Sequence, residues 1–133
     1  MTLKKTFSWT LFILWLMFVI FLSCQSGNDS GKLSLWLAER FDIHVTQTAL
    51  REFAHFGTHF VLAIFMYGAA YSSYDSPRGF TTIIGFVIAV ADELLQFFIP
   101  GRCPEIVDIA LNLAGIITGA ILCAIFAPKK NRP

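Results

Sequence analysis

Six side chains that can exchange protons or form hydrogen bonds lie close together in a strongly apolar part of the sequence. They are Asp92, Glu93, Gln96, Arg102, Asp108 and Asn112. Ionisable groups at membrane depth are costly to bury and usually face the interior of a helix bundle, where they mark a functional site. Because neighbouring carboxylates repel one another when ionised, this group favours proton handling or cation binding.

An earlier apolar segment adds further polar residues, two of them histidines, to this candidate site. Arg51, Glu52, His55 and His59 would fall on one side of a helix. The spacing of the two histidines suits metal coordination, but the segment lacks the glutamate of the HExxH motif. We therefore expect the histidines to line a cavity rather than to bind zinc, and we predict no metal site.

The composition indicates which elements carry these side chains. Of 133 residues, 56% are hydrophobic and 14% are charged, with a mean hydropathy of +0.65. Four apolar stretches, at residues 7–23, 53–71, 80–99 and 106–127, are each near the ~20 residues that cross a membrane as a helix. Backbone groups in lipid must be hydrogen-bonded internally, which favours helices. The predicted fold is a single-domain, all-α bundle of four transmembrane helices.

The connection over residues 24–52 has two parts. CQSGNDSG predicts a flexible polar stretch, and KLSLWLAERF predicts a short interfacial amphipathic helix. The first apolar segment is longer than the ~7–15 residues of a signal peptide, so we expect an uncleaved helix rather than a lipoprotein signal ending at Cys24. Cys24 and Cys103 would share one side of the membrane, which leaves a disulfide between them open.

The distribution of positive charge predicts the orientation. Lys4, Lys5, Arg78, Lys129, Lys130 and Arg132 would lie on one side of the membrane, and Lys32, Arg40, Arg51 and Arg102 on the other. The side richer in lysine and arginine is normally cytoplasmic. We therefore expect both termini in the cytoplasm and the polar residues in roughly the outer third of a ~30 Å hydrocarbon core. The sequence has no basic stripe with interleaved aromatic residues, so we expect no nucleic-acid partner.

Small residues precede or follow the polar ones on two predicted helices. The shared faces contain Gly85, Ala89, Asp92 and Gln96 on the third helix, with Glu93 beside them, and Asp108, Asn112, Gly115 and Gly119 on the fourth. A GxxxG pair permits close helix contact, so the polar groups should face the packed interior. Simpler interpretations stay open. The role of Gln96 and Asn112 could be limited to hydrogen bonds that join the helices. The role of Arg102 could be limited to an ion pair with Asp108 or Glu105.

The same residues carry a family resemblance. The segment from Asp92 to Gly119 resembles the signature of the VanZ-like family of bacterial membrane proteins. That pattern, D-E-x-x-Q, P-G-R, D, N and two glycines, matches Asp92, Glu93, Gln96, Pro100, Gly101, Arg102, Asp108, Asn112, Gly115 and Gly119. REFAHFGTH and LSCQS are also similar to the family. Glu52 replaces the lysine, and His59 the tyrosine, that the family usually has, so this cavity loses one cation.

The resemblance implies a multi-pass protein of the bacterial cytoplasmic membrane, related to proteins linked to teicoplanin resistance. One hypothesis is an envelope protein that binds a lipid, a cell-wall precursor or a glycopeptide through Gln96, Asn112, His55, His59 and Arg51. The alternative is a metal-dependent hydrolase or transferase acting on a lipid-linked phosphate. There Asp92 or Glu93 would be the general base, Arg102 the phosphate clamp, and Asp108 or a histidine the orienting group.

The sequence leaves open whether the protein is an enzyme, which cofactor it uses and whether it forms a homo-oligomer in the lipid bilayer. Phosphoryl transfer usually requires several cations or a metal ion. Acids outnumber arginines in this group, so an enzyme would need a divalent ion. Four helices are few for a carrier, which makes transport the weaker hypothesis.

Overall fold

The computed structural model describes residues 3–128 and contains, within that range, five α-helices and no strand. The helices are α1 (Leu3–Ser23), α2 (Gly27–Arg40), α3 (Gln47–Tyr71), α4 (Pro77–Gln96) and α5 (Ile106–Phe126). All except α2 are long and apolar enough to cross a membrane. The predicted all-α fold with four membrane-spanning helices is confirmed.

The first connection contains the additional helix that its amphipathic sequence predicts, but this helix is longer than expected. α2 begins at Gly27, because Ser26 Oγ accepts a hydrogen bond from Asp29 N at 3.1 Å and caps its first turn. Most of the stretch predicted to be flexible and polar is therefore helical, and that part of the prediction is wrong. α2 has no buried residue, as an amphipathic helix outside the bundle core should.

The spanning helices differ from the prediction at several ends. α3 begins at Gln47 rather than residue 53, because Thr46 Oγ1 accepts a hydrogen bond from Ala49 N at 3.2 Å. α4 begins at Pro77 rather than residue 80, since proline fits the first turn of a helix. It ends at Gln96 rather than residue 99, and Gly101 then turns the chain with a φ of 73°.

α3 lies at the centre of the bundle and contacts each of the other four helices. α5 approaches α3 closely at Gly115. A Cβ added there would fall 2.9 Å from Phe60 N and nearer still to Phe56 O. Leu62 of α3 packs with Phe12 of α1 in an apolar core. Many large apolar side chains on the outer surfaces of the spanning helices are exposed, as expected where a bundle contacts lipid.

α1 and α4 end, and α3 and α5 begin, at one end of the bundle, which we call the polar end. Its loops are joined by a hydrogen bond from Gly27 N to Pro100 O at 3.1 Å. At the opposite end, Tyr71 Oη donates to Pro128 O at 2.8 Å. The assignment of the opposite end to the cytoplasm stays a prediction, and Lys129, Lys130 and Arg132, on which it partly rests, lie outside the described residues.

Candidate functional site

The polar side chains that the sequence analysis selected meet at the polar end. Seven of them are buried: His55, His59, Asp92, Glu93, Gln96, Asp108 and Asn112. Arg51 and Arg102 are half-buried beside them. α3, α4 and α5 supply all of these residues except Arg102, which lies in the loop after α4. We call these nine residues the polar cluster. The structure places these residues together, and their role in binding or catalysis stays a prediction.

The two carboxylates of α4 are held by different neighbours. Asp92 Oδ1 accepts a hydrogen bond from Ser23 Oγ at the end of α1. Glu93 Oε1 accepts one from Gln96 Nε2 at 3.1 Å, and Glu93 Oε2 accepts one from the backbone N–H of Glu105 at 3.3 Å. Glu93 was expected beside the packed face of this helix, but it is only 1% exposed. Both acids therefore belong to the interior.

His55 lies between the acids of α4 and the polar residues of α5. Its Nδ1 is 3.0 Å from Asn112 Oδ1 and 3.7 Å from Glu93 Oε1. Its Nε2 is 3.6 Å from Asp108 Oδ2. Both ring nitrogens thus face oxygen atoms, and Nδ1 lies within hydrogen-bond distance of Asn112 Oδ1.

His59 lies one helical turn deeper, beside Asp92. Its Nδ1 is 3.1 Å from the backbone oxygen of His55, which can only accept, so Nδ1 carries a hydrogen. In the neutral ring Nε2 then holds a lone pair, and it lies 4.0 Å from Asp92 Oδ2. Asp92 therefore sits between Ser23 and His59, whereas a nucleophilic triad places the histidine between serine and acid. This order does not make Ser23 an activated nucleophile of that type.

The two arginines have different kinds of partner. Arg51 Nη2 lies 2.8 Å from Glu105 Oε1 and 3.7 Å from Asp108 Oδ2. Arg102 donates from Nη1 to Gln96 Oε1 and from Nε to a backbone oxygen, both at 3.3 Å. The alternative left open for Arg102, an ion pair with Asp108 or Glu105, is not found, because α3 begins early enough for Arg51 to reach both acids.

Arg102 is consequently a cation with no fixed counter-ion. No carboxylate oxygen among residues 3–128 lies within 4.0 Å of its guanidinium. Burial lowers the pKa of Arg102, and the neighbouring Arg51 guanidinium lowers it further. An arginine still keeps its charge at neutral pH. Its free positive charge can therefore pair with an anion that enters from outside the bundle.

A cavity of about 660 Å³ opens beside the polar cluster. Its apolar wall is formed by side chains of α1, α2 and α3: Phe18, Val19, Phe21, Leu22, Leu33, Leu37, Leu50 and Phe53. Its polar wall includes Arg51, His55, Asp92, Gln96 and Arg102. The cavity is thus amphipathic, and its volume lies in the ~300–1,000 Å³ range of small-molecule sites.

A smaller cavity of about 190 Å³ also borders the two arginines. Hydroxyl groups, glycine backbone and the arginines line it, from Ser30, Ser34, Thr48, Gly27, Gly101, Arg51 and Arg102 among others. The two cavities share Ser30, Ser34 and both arginines. The two arginines therefore line both the larger, mostly apolar cavity and the smaller, polar cavity.

The end of α1 and the turn that follows it also contribute to this site, which the sequence did not predict. Ser23 bonds to Asp92, and the backbone oxygen of Gln25 accepts from Arg102. The segment LSCQS was noted only as a resemblance, although it contains both residues. The described chain also places Cys24 and Cys103 as free, exposed cysteines.

The comparisons with known proteins point to one family. The family model described as VanZ/LLP1 matches residues 7–127, which is most of the chain. No curated protein and no solved structure is significantly similar to this chain. The match spans the four membrane-crossing helices, α2 and all nine residues of the polar cluster. The chain therefore belongs to the VanZ/LLP1 family and is a multi-pass membrane protein.

Proposed function

We propose that this protein is an envelope protein of the bacterial cytoplasmic membrane that binds a lipid carrying a phosphate. The apolar chain of the lipid would occupy the larger cavity, and its phosphate would contact Arg102. A phospholipid and a lipid-linked cell-wall precursor share this chemistry. Sequestering or presenting such a lipid at the outer surface would alter susceptibility to glycopeptides such as teicoplanin.

One observation carries this proposal. Arg102 has no carboxylate partner in the described chain, and it stands at the junction of the apolar and polar cavities. A phosphate is a preferred partner for a guanidinium, because its oxygens match the planar N–H donors. An apolar cavity alone would fit any apolar molecule, whereas an unpaired cation in its lining selects a molecule with an anionic head group.

The test compares phosphate-bearing and phosphate-free ligands on the full chain in mild detergent. The probes are dihexanoyl phosphatidic acid and the diacylglycerol of the same chain length, followed by undecaprenyl phosphate and undecaprenol. We expect the phosphate-bearing member of at least one pair to bind more tightly. Arg102→Ala should weaken that binding by about 10- to 100-fold, the value of a hydrogen bond to a charged group.

Arg40→Ala is the matched control, since Arg40 is exposed at the end of α2 and lines neither cavity. It should bind like the wild type. Equal binding of phosphate-bearing and phosphate-free probes would refute the proposal, as would an Arg102→Ala variant that binds normally. Preferential binding of teicoplanin itself would replace the lipid by the antibiotic as ligand.

The alternative function is a hydrolase or transferase acting on the same lipid-linked phosphate. Its specific support is that Asp92 lines the cavity together with Arg102, so a base and a phosphate clamp face one space. In hydrolysis a water oxygen would attack phosphorus, Asp92 would take the water proton, and the leaving oxygen would receive a proton as its bond to phosphorus breaks. Release of inorganic phosphate from undecaprenyl pyrophosphate with added Mg²⁺ or Mn²⁺ would favour this function over simple binding.

A further inference from the structure

The acids of α4 lack a cationic partner of their own. Asp92 is 4% exposed and Glu93 is 1% exposed. Within residues 3–128, no lysine or arginine nitrogen lies within 4.0 Å of either carboxylate. The nearest basic groups are the two histidines, with His55 Nδ1 at 3.7 Å from Glu93 Oε1 and His59 Nε2 at 4.0 Å from Asp92 Oδ2.

Two buried carboxylates without a partner are strongly unfavourable in the ionised form. Each must be neutralised by a proton or by a nearby positive charge. The hydrogen bonds from Ser23 to Asp92 and from Gln96 to Glu93 reduce the penalty but bring no charge. A bound cation would supply the missing charge to both acids at once.

The positions of three donor atoms fit such a cation. His55, Asp92 and Glu93 each offer one ligand atom, and these atoms all lie within 4.8 Å of one another. In a tetrahedral zinc site with bonds near 2.1 Å, neighbouring ligand atoms lie about 3.4 Å apart. The three atoms would therefore need to approach one another by up to about 1.4 Å, through rotation of the three side chains when the ion binds.

An independent feature points into the same place. His59 is fully buried, and its Nε2 has no hydrogen-bond partner in the described chain. As its Nδ1 hydrogen is held by the backbone oxygen of His55, the unused lone pair on Nε2 faces Asp92. Metal-binding histidines are commonly fixed in this way, with one ring nitrogen donating to a backbone carbonyl and the other free for the metal.

We propose that the protein binds one divalent transition-metal ion through His55, Asp92 and Glu93, beside the unpaired Nε2 of His59. His55 would bind through Nδ1, exchanging its contact with Asn112 for the ion. Its Nε2 hydrogen would then be held by Asp108 Oδ2, now 3.6 Å away. A carboxylate behind a metal-binding histidine orients the ring and strengthens it as a ligand.

The donor set indicates the class of metal. Imidazole nitrogen together with carboxylate oxygen suits Zn²⁺ or Mn²⁺, whereas Ca²⁺ and Mg²⁺ prefer ligands that are all oxygen. The prediction of no metal site rested on the missing HExxH glutamate. Here the acids come from α4 rather than from the histidine helix, and only the folded bundle brings the two helices together.

This ion would be bound whether or not a lipid is present. Asp92 and His55 also line the larger cavity, so the ion would stand next to the phosphate that Arg102 is proposed to hold. Asp92 would then hold the ion and would not be free to act as the general base of the enzymatic alternative. The test of the metal site is separate from the test of lipid binding, because it measures metal on the protein and not lipid or turnover.

The experiment uses the full chain, purified in mild detergent with its affinity tag removed. Metal content is measured by mass spectrometry after dialysis, and the chelator-stripped protein is titrated with Zn²⁺ and, by electron paramagnetic resonance, with Mn²⁺. We expect close to one ion per chain. Glu93→Gln and His55→Gln should each weaken binding by at least about 10-fold. Arg102→Ala should keep the metal, which separates this proposal from lipid binding.

Two exposed residues provide matched controls, Glu39→Gln in α2 and His44→Gln in the loop after it. Both should bind the ion like the wild type. A wild-type protein that takes up no ion at saturating Zn²⁺ and Mn²⁺ would overturn the proposal, and the acids would then be neutralised by protons. Binding that Glu93→Gln and His55→Gln retain while they stay folded would overturn it equally, since the ion would lie elsewhere.

Discussion

Arg51 Nη2 lies 3.7 Å from Asp108 Oδ2, and no other lysine or arginine nitrogen in residues 3–128 comes within 4.0 Å of that carboxylate. The same guanidinium nitrogen lies 2.8 Å from Glu105 Oε1. The Glu105 side chain is 45% exposed, whereas that of Asp108 is 2% exposed. Arg51 thus pairs with the solvated carboxylate of Glu105 and lies near the buried carboxylate of Asp108. The ionised form of Asp108 depends more strongly on this positive charge, because water does not stabilise it.

The first prediction follows from this difference in burial. Arg51→Ala leaves Asp108 buried without a cation and should lower the free energy of unfolding by about 1–3 kcal/mol. Glu105→Gln removes a half-exposed ion pair and should cost less than about 1 kcal/mol. Thermal unfolding of both variants in one detergent measures the two effects. Equal losses would contradict the special dependence of Asp108 on Arg51.

The second prediction concerns the contact between α3 and α5. Gly115→Ala places a methyl group 2.9 Å from Phe60 N and closer to Phe56 O. Both are backbone atoms and cannot rotate away, so the helices must separate and stability should fall by about 1–3 kcal/mol. Gly115→Leu should be worse still.

Gly68→Ala is the control for that variant. Gly68 is an exposed glycine of α3, and an added Cβ would meet nothing within 4 Å. Alanine is also the better helix former, so this variant should be neutral or slightly more stable in the same detergent. If both alanine variants unfold at the wild-type temperature, α5 does not need the close approach that Gly115 provides.

The side-chain faces were predictable because a helix repeats every 3.6 residues and ionisable groups avoid lipid. That reasoning was enough to group His55, Asp92 and Asp108 in one interior. It also found α2 from its apolar spacing. The predicted ends of α3 and α4 are wrong for two reasons. Thr46 caps α3, so the helix begins at Gln47, ahead of the apolar stretch at residue 53. α4 ends before Phe97 although the sequence there is still apolar.

The contacts within the site depend on how the helices dock and were beyond the sequence. Arg51 reaches Glu105 and Asp108 only because α3 is extended and packs against α5. Ser23 reaches Asp92 only because α1 ends beside α4. Each of these pairs is far apart along the chain, and spacing within one helix gives no information about a second helix.

The third prediction concerns orientation, for which the charge distribution is the argument. Cys24 and Cys103 are exposed at the polar end. In intact cells a membrane-impermeant maleimide should label a variant that retains only Cys24. It should fail to label Ser76→Cys in a cysteine-free background, since Ser76 lies at the opposite end, before α4. Both positions should react once the cells are lysed. The reverse pattern would place the polar cluster in the cytoplasmic leaflet and remove the proposed action at the outer surface.

The fourth prediction is that the polar cluster acts as a unit. Glu93, Arg102 and Asp108 are linked through Gln96 and His55 by the contacts described above. Glu93→Gln, Arg102→Ala and Asp108→Asn should therefore each abolish the effect of the protein on teicoplanin susceptibility, and each should weaken its binding of the phosphate-bearing lipid, while membrane expression persists. Glu39→Gln and Arg40→Ala, which change an acid and an arginine outside the cluster, should behave like the wild type.

Double variants sharpen this last test. Residues that contribute to one function together are strongly non-additive, so Glu93→Gln combined with Asp108→Asn should be no worse than either single variant. Losses that add independently would indicate separate contributions instead of one site. If the single variants keep full activity, Glu93, Arg102 and Asp108 only hold the helices together. The thermal stability of those same variants would then have to fall, because the hydrogen bonds and ion pairs they lose would be structural.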